Sequence, residues 1–108
     1  STHPQLTDIL DRLKEELQRR YGDRLLEVRL FGSQARGEAG EESDVDVLVI
    51  LKDEEVDAIR EQNRILDFRY DLELKFHTLI QVLFVSEKTY RESDYHFFKV
   101  LRSESVGI

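Results

Sequence analysis

The chain has 108 residues and a mass of 12.8 kDa, room for one hydrophobic core, so a single domain over residues 1–108 is expected. It contains no cysteine, which excludes a disulfide framework, a thiolate metal site and a thiol nucleophile. A formal charge of −7, from 23 acidic against 16 basic residues, argues against broad nucleic-acid binding, because that affinity comes from phosphate neutralisation; any phosphate contact must be local.

No apolar run approaches the roughly 20 residues of a membrane helix, and the opening STHPQLTDIL lacks the layout of a signal peptide. No membrane association is expected, and a cytoplasmic location is the default. With 36% charged and 40% hydrophobic residues the chain is globular in type.

Leu6, Ile9, Leu10, Leu13 and Leu17 recur at helical spacing, with Asp8, Asp11, Lys14, Glu15 and Glu16 opposite, which predicts an amphipathic helix. Pro4 suits its first turn and Gly22 its exit. Leu25 to Phe31 alternates as a strand, with Leu26, Val28 and Leu30 on one face and Glu27 and Arg29 on the other, and Gly32 ends it. Residues 34–43 form a turn-rich connection. Val45 to Leu51 is a largely buried strand.

From Asp53 to about Phe76 the positions Val56, Ile59, Leu66, Tyr70 and Leu74 predict a long helix, with Ile65, Phe68, Leu72 and Phe76 widening the apolar stripe. Its solvated face is expected at Glu54, Glu55, Arg60, Glu61 and Arg64. Leu79 to Val85 is a third strand, and Ser86-Glu87 caps a short helix reaching Tyr90. The tail with Tyr95, Phe97, Phe98, Val100 and Leu101 fits either a helix or a docked extended segment. Its aromatic cluster suits either the core or an interface with a partner, a second copy included. The predicted class is α+β, a small mixed β-sheet with helices packed on one face.

The stretch LFGSQARGEAGEESDVDVLVIL, residues 30–51, carries the chemistry. Side chains two apart on a strand share a face, so Asp44 and Asp46 project together, about 7 Å apart. Such a pair suits a hard divalent cation, magnesium above all where phosphates complete the shell. Gly32 permits close approach of a ligand to the backbone, the turn amides and the Ser33 hydroxyl can cradle phosphate oxygens, and Arg36 can add a charged fork. Taken singly, each signal has an ordinary alternative: a turn, a solvated strand end, a surface ion pair.

Gly32-Ser33, ten residues, then Asp44-Val45-Asp46 in a strand–loop–strand frame resembles the signature of the nucleotidyltransferase superfamily that includes DNA polymerase beta and kanamycin nucleotidyltransferase. The short length, GSQARGE and SDVDVLV look most like its minimal (MNT) branch. The resemblance implies the polymerase beta-like fold and magnesium-dependent transfer of a nucleoside monophosphate, AMP from ATP in the first instance, to an acceptor hydroxyl. On that model Gly32, Ser33 and Arg36 hold the triphosphate, and Asp44 and Asp46 are the catalytic metal ligands. It also implies a helical HEPN partner, whose tyrosine is the acceptor, in a toxin–antitoxin pair.

That superfamily carries a third carboxylate on a later strand, here LIQVLFV, in which Gln81 is the only polar residue and no acid occurs. An amide neither takes a proton nor supplies full charge to a metal. Whether the chain is an enzyme is therefore open between three readings: another acid substitutes (Glu73, Asp71 or Glu42), the site works slowly with one strong cation site, or the chain is a nucleotide-binding module that blocks its partner by binding alone. His3, His77 and His96 lack metal-ligand spacing and are expected to be structural or exposed; Tyr21, Tyr70 and Tyr90 are expected to pack.

Overall fold

The computed structural model describes residues 2–40 and 44–108. α1 (Leu6–Tyr21) buries Ile9, Leu13, Leu17 and Tyr21, the face that its spacing predicts. Pro4 lies in the turn before it, where Leu6 N donates to the His3 carbonyl at 3.0 Å. A 3-10 turn from Gly22 to Arg24, with Gly22 at φ 52°, leads into β1 (Leu25–Phe31). A short helix α2 (Gly32–Arg36) follows, then β2 (Val45–Leu51), α3 (Ala58–Phe76), β3 (Ile80–Ser86), α4 (Glu87–Glu92), α5 (His96–Glu104) and β4 (Val106–Gly107).

The sheet has four strands in the order β3-β2-β1-β4. β2 pairs antiparallel with β1 and parallel with β3, and β4 adds antiparallel to the free edge of β1. The sheet is thus mixed, as expected. The two long helices pack on one face, where Val45, Val47 and Val49 of β2 meet Ile9, Leu13 and Leu17 of α1 and Ile65, Phe68, Leu72 and Phe76 of α3. A smaller cluster covers the other face, built on Leu48, Ile50 and Leu101 with Tyr90 and Phe98 packed against it. The tail left open by its sequence supplies that second layer.

Several expectations shift. The connection expected over 34–43 opens as the helix α2, which runs to Arg36 and stops at Gly37 in the left-handed region, where a glycine closes a helix readily. The register slips between Leu25 and Glu27, so Leu26 joins the second cluster and not the face of Val28 and Leu30. α3 begins at Ala58, capped by the Asp57 carboxylate accepting from Arg60 N at 3.2 Å, and not at Asp53, which Arg24 holds at 3.0 Å. The stripe on α3 is also rotated. Ile65, Phe68, Leu72 and Phe76 form the buried seam, whereas Ile59, Leu66, Tyr70 and Leu74 are half or more exposed. Glu61, expected on the solvated face, is 2% exposed and ion-pairs with Arg24 and Arg64. A helix with two apolar stripes offers two faces to a core, and the sequence pattern does not choose between them.

Among the histidines, His3 is buried and structural, its Nδ1 accepting from Gln5 N and its own amide donating to Gln34 Oε1 at 2.8 Å; His77 and His96 are exposed. Among the described residues no helix is long and apolar enough to cross a membrane.

Candidate functional site

β1 and β2 run antiparallel, so the end of β1 and the start of β2 meet at one edge of the fold. Phe31 stands opposite Asp46, and the chain turns sharply at Gly32 into α2. Gly32 has φ 74°, a left-handed conformation natural to glycine. A Cβ there would lie 2.3 Å from Asp46 Oδ2. The lack of a side chain therefore makes room for the Asp46 carboxylate beside the first turn of α2.

Asp44, immediately before β2, and Asp46, within it, point to the face opposite the core valines, as their spacing predicts. Asp46 is partly buried. Its carboxyl is held above the usual range by burial first and by the Asp44 charge second, with the Arg36 charge pulling it down. A partly buried carboxylate whose proton affinity is raised by a neighbouring carboxylate marks a site short of positive charge.

Gln81 of β3 completes this face. It pairs in register with Asp46, and its Nε2 donates to Asp44 Oδ2 at 2.8 Å. The uncharged side chain at the position where the resemblance implies an acid thus touches one of the two aspartates. Its signal in the sequence was a lone polar residue, on the odd face of an apolar strand that neighbours the aspartates.

Ser33 sits half-buried in the first turn of α2, its carbonyl accepting from Glu38 N at 3.0 Å. Arg36, at the last position of α2, is near enough for its charge to act on Asp46. Its guanidinium is meanwhile shared between Glu38 at 3.0 Å and Glu104 at 3.7 Å, and those carboxylates hold its pKa above the usual arginine value. Gly32, Asp44, Asp46 and Gln81 are therefore brought together, with Ser33 and Arg36 on the adjoining short helix.

The substitute acids fare differently. Glu73 shares a groove of about 350 Å³ with Asp44, Tyr70, Leu74, His77, Thr78 and Leu79, but both its oxygens are committed. Oε2 accepts from Ile80 N at 2.8 Å and Oε1 from Arg69 at 3.1 Å, so Glu73 closes the α3–β3 connection. Asp71 lines grooves with residues of α1 and is not among the residues lining the Asp44 groove. Glu42 is outside the described residues. Among those described, no group of three His, Cys, Asp or Glu side chains is placed to share a metal ion.

Residues 10–103 match the family model for the nucleotidyltransferase domain. The chain belongs to the nucleotidyltransferase domain family. A Methanocaldococcus jannaschii protein, the candidate protein adenylyltransferase MJ0141, is 35% identical over 89 residues, which is 82% of this chain and 87% of the relative. Protein adenylyltransferase MntA of Thermococcus cleftensis is 50% identical over 48 residues, 44% of this chain and 46% of MntA. These relatives bear out the resemblance to the minimal nucleotidyltransferases.

Solved structures share the fold. A candidate nucleotidyltransferase from Sulfolobus solfataricus superposes with a TM-score of 0.58 at 21% identity, over 93% of this chain and 76% of that one. A toxin–antitoxin structure with AMP-PNP gives 0.61 at 18% identity, over 90% and 70%. The mixed sheet with its nucleotidyltransferase helices is thus the fold expected from the sequence.

Proposed function

We propose that residues 1–108 form one minimal nucleotidyltransferase domain that transfers AMP from ATP, with magnesium, to a hydroxyl of a protein partner. The partner in this reading is a helical HEPN-type toxin, the acceptor its tyrosine, and this chain the antitoxin of the pair, acting in the cytoplasm. The observation that carries the reading is the Gly32–Asp46 contact: a glycine whose missing Cβ admits a carboxylate, beside a second carboxylate that raises its proton affinity. Support also comes from relatives named protein adenylyltransferases and from a toxin–antitoxin structure of this fold with AMP-PNP.

The donor set fits a divalent cation. Asp44 and Asp46 are hard oxygen ligands on one face, both partly buried, and the Arg36 charge acting on Asp46 does not offset its burial and the Asp44 charge. Bound there, magnesium would neutralise the triphosphate and polarise the α-phosphate. Gly32 gives the phosphates access to backbone amides, and Ser33 offers a hydroxyl at the same turn. Arg36, released from Glu38, would add a charged fork.

In the transfer the acceptor oxygen forms a bond to the α-phosphorus while the bond from the α-phosphorus to the bridging oxygen breaks. Pyrophosphate leaves with the broken bond's electron pair, and the hydroxyl proton passes to solvent water. The chain's part is positioning and charge, which dominate phosphoryl transfer. The groove beside Asp44, walled by the exposed Tyr70, Leu74 and Leu79, suits an acceptor on a protein better than a small free molecule.

A second reading keeps the nucleotide seat and drops the chemistry, the chain silencing its partner by binding alone; Gln81 in place of an acid favours it. Incubation of both proteins with ATP labelled on the α-phosphate separates the two. Label on the partner, lost in Asp44→Ala with Asp46→Ala, is expected. No magnesium-dependent ATP binding would refute the nucleotide site itself, and binding without any transfer would leave the blocking module.

A further inference from the structure

β2 and β3 run parallel with Asp46 opposite Gln81. Ile80, Val82 and Phe84 of β3 enter the core under the long helices, so alternation turns Gln81 to the face of Asp44 and Asp46. A carboxylate at this one position would join the two aspartates. An amide stands there instead, donating from Nε2 to Asp44 Oδ2 at 2.8 Å. The acid that shares the Asp44 groove, Glu73, is held by Ile80 N and Arg69.

We propose that Gln81 is a positioning residue that makes this a site for one divalent cation and not two, an inference that rests on the nucleotidyltransferase reading. The amide takes a lone pair of Asp44 Oδ2 and fixes that carboxylate's orientation while adding no charge. Asp44 and Asp46 together then balance a single divalent ion. An ion carried on a triphosphate draws oxygens from the phosphates and needs few from the protein. An ion at the attacking hydroxyl would have fewer phosphate ligands and would need more carboxylates, of which this face holds only Asp44 and Asp46 among the described residues. The site keeps the cation that accompanies the nucleotide and forgoes the one that would activate the acceptor. Gln81 is exposed, so exchanging it should leave the fold intact.

The test is a Mn2+ titration followed by electron paramagnetic resonance, with an ATP analogue carrying a methylene group between the α- and β-phosphates. Wild type should bind one ion per chain. Gln81→Glu or the shorter Gln81→Asp should bind two, with the spin coupling of neighbouring ions. Gln81→Ala should bind one about tenfold more weakly, the usual scale for losing an orienting partner of a metal ligand. Thermal melts by circular dichroism should stay near wild type throughout. Two ions in wild type, or one in both acidic variants, overturns the inference while leaving the nucleotide site standing. Undiminished affinity in Gln81→Ala overturns the positioning role. No ion in wild type overturns the nucleotidyltransferase reading and this inference with it.

Discussion

Gly32→Ala separates two costs that glycine avoids at this turn. The first is conformational: at φ 74° a Cβ crowds the backbone, a cost of about 1–2 kcal/mol. The second is specific to the site, because the new Cβ would lie 2.3 Å from Asp46 Oδ2, far inside contact. Asp46 must leave its rotamer, adding about 1 kcal/mol, so the expected loss is about 2–3 kcal/mol. Gly37 is the internal control: its φ is 71°, yet a Cβ there would meet nothing within 4 Å, so Gly37→Ala should cost only the first amount. Urea denaturation measures both. In the double variant with Asp46→Ala, the Gly32→Ala cost should fall to the Gly37→Ala level, a coupling of about 1 kcal/mol. Calorimetry with magnesium and ATP should show weakened binding for Gly32→Ala and unchanged binding for Gly37→Ala. Equal stability losses for the two alanines, or additive costs in the double variant, would refute the reasoning.

Asp46→Asn should stabilise the metal-free chain while abolishing metal-dependent ATP binding, because burial and Asp44 hold the Asp46 carboxyl above its usual pKa. A raised folded-state pKa means that the folded protein binds the proton more tightly than the unfolded chain. Wild-type stability from this group is therefore fullest in acid and is lost as pH rises through the folded value. The advantage of Asn should shrink on acidification; urea midpoints at neutral and acid pH check this, and a constant margin would contradict it. Tyr21 buries a hydroxyl without a hydrogen-bond partner among the described residues, and burial pushes its pKa from 10.0 to about 12. Tyr21→Phe should gain about 1 kcal/mol. It should also remove a stability loss that in wild type sets in as pH climbs from 10.0 to about 12; a loss on Tyr21→Phe would show that the hydroxyl is satisfied. Ile65→Ala should cost about 2–5 kcal/mol and the adjacent Leu66→Ala under 1, because Ile65 is fully buried and Leu66 is 50% exposed. Equal losses in denaturation would return the expected stripe to the core.

The geometry of the candidate site was legible wherever it is local. Gly32 and Ser33 at a strand end, and Asp44 and Asp46 two apart at the head of the next, are short-range features whose geometry follows from strand alternation and antiparallel return. What Gln81 touches was not legible, because it depends on which strand lies beside β2 and in which register. Arg36 shows the same limit. Its proximity to the aspartates follows from sequence, but its pairing with Glu104 comes from α5 folding back across the sheet.

The order of α1, β1, β2, α3, β3 and α4 followed from hydrophobic period and turn residues alone, since both act over a few neighbours, but the short helix α2 inside the expected connection did not. Which of two apolar stripes on α3 meets the core did not, nor did the burial of Glu61, the second layer built by the tail or the strand added by Val106 and Gly107. Each depends on contacts between segments far apart in the chain, where competing local patterns are equally good and only the packing of the whole sheet separates them.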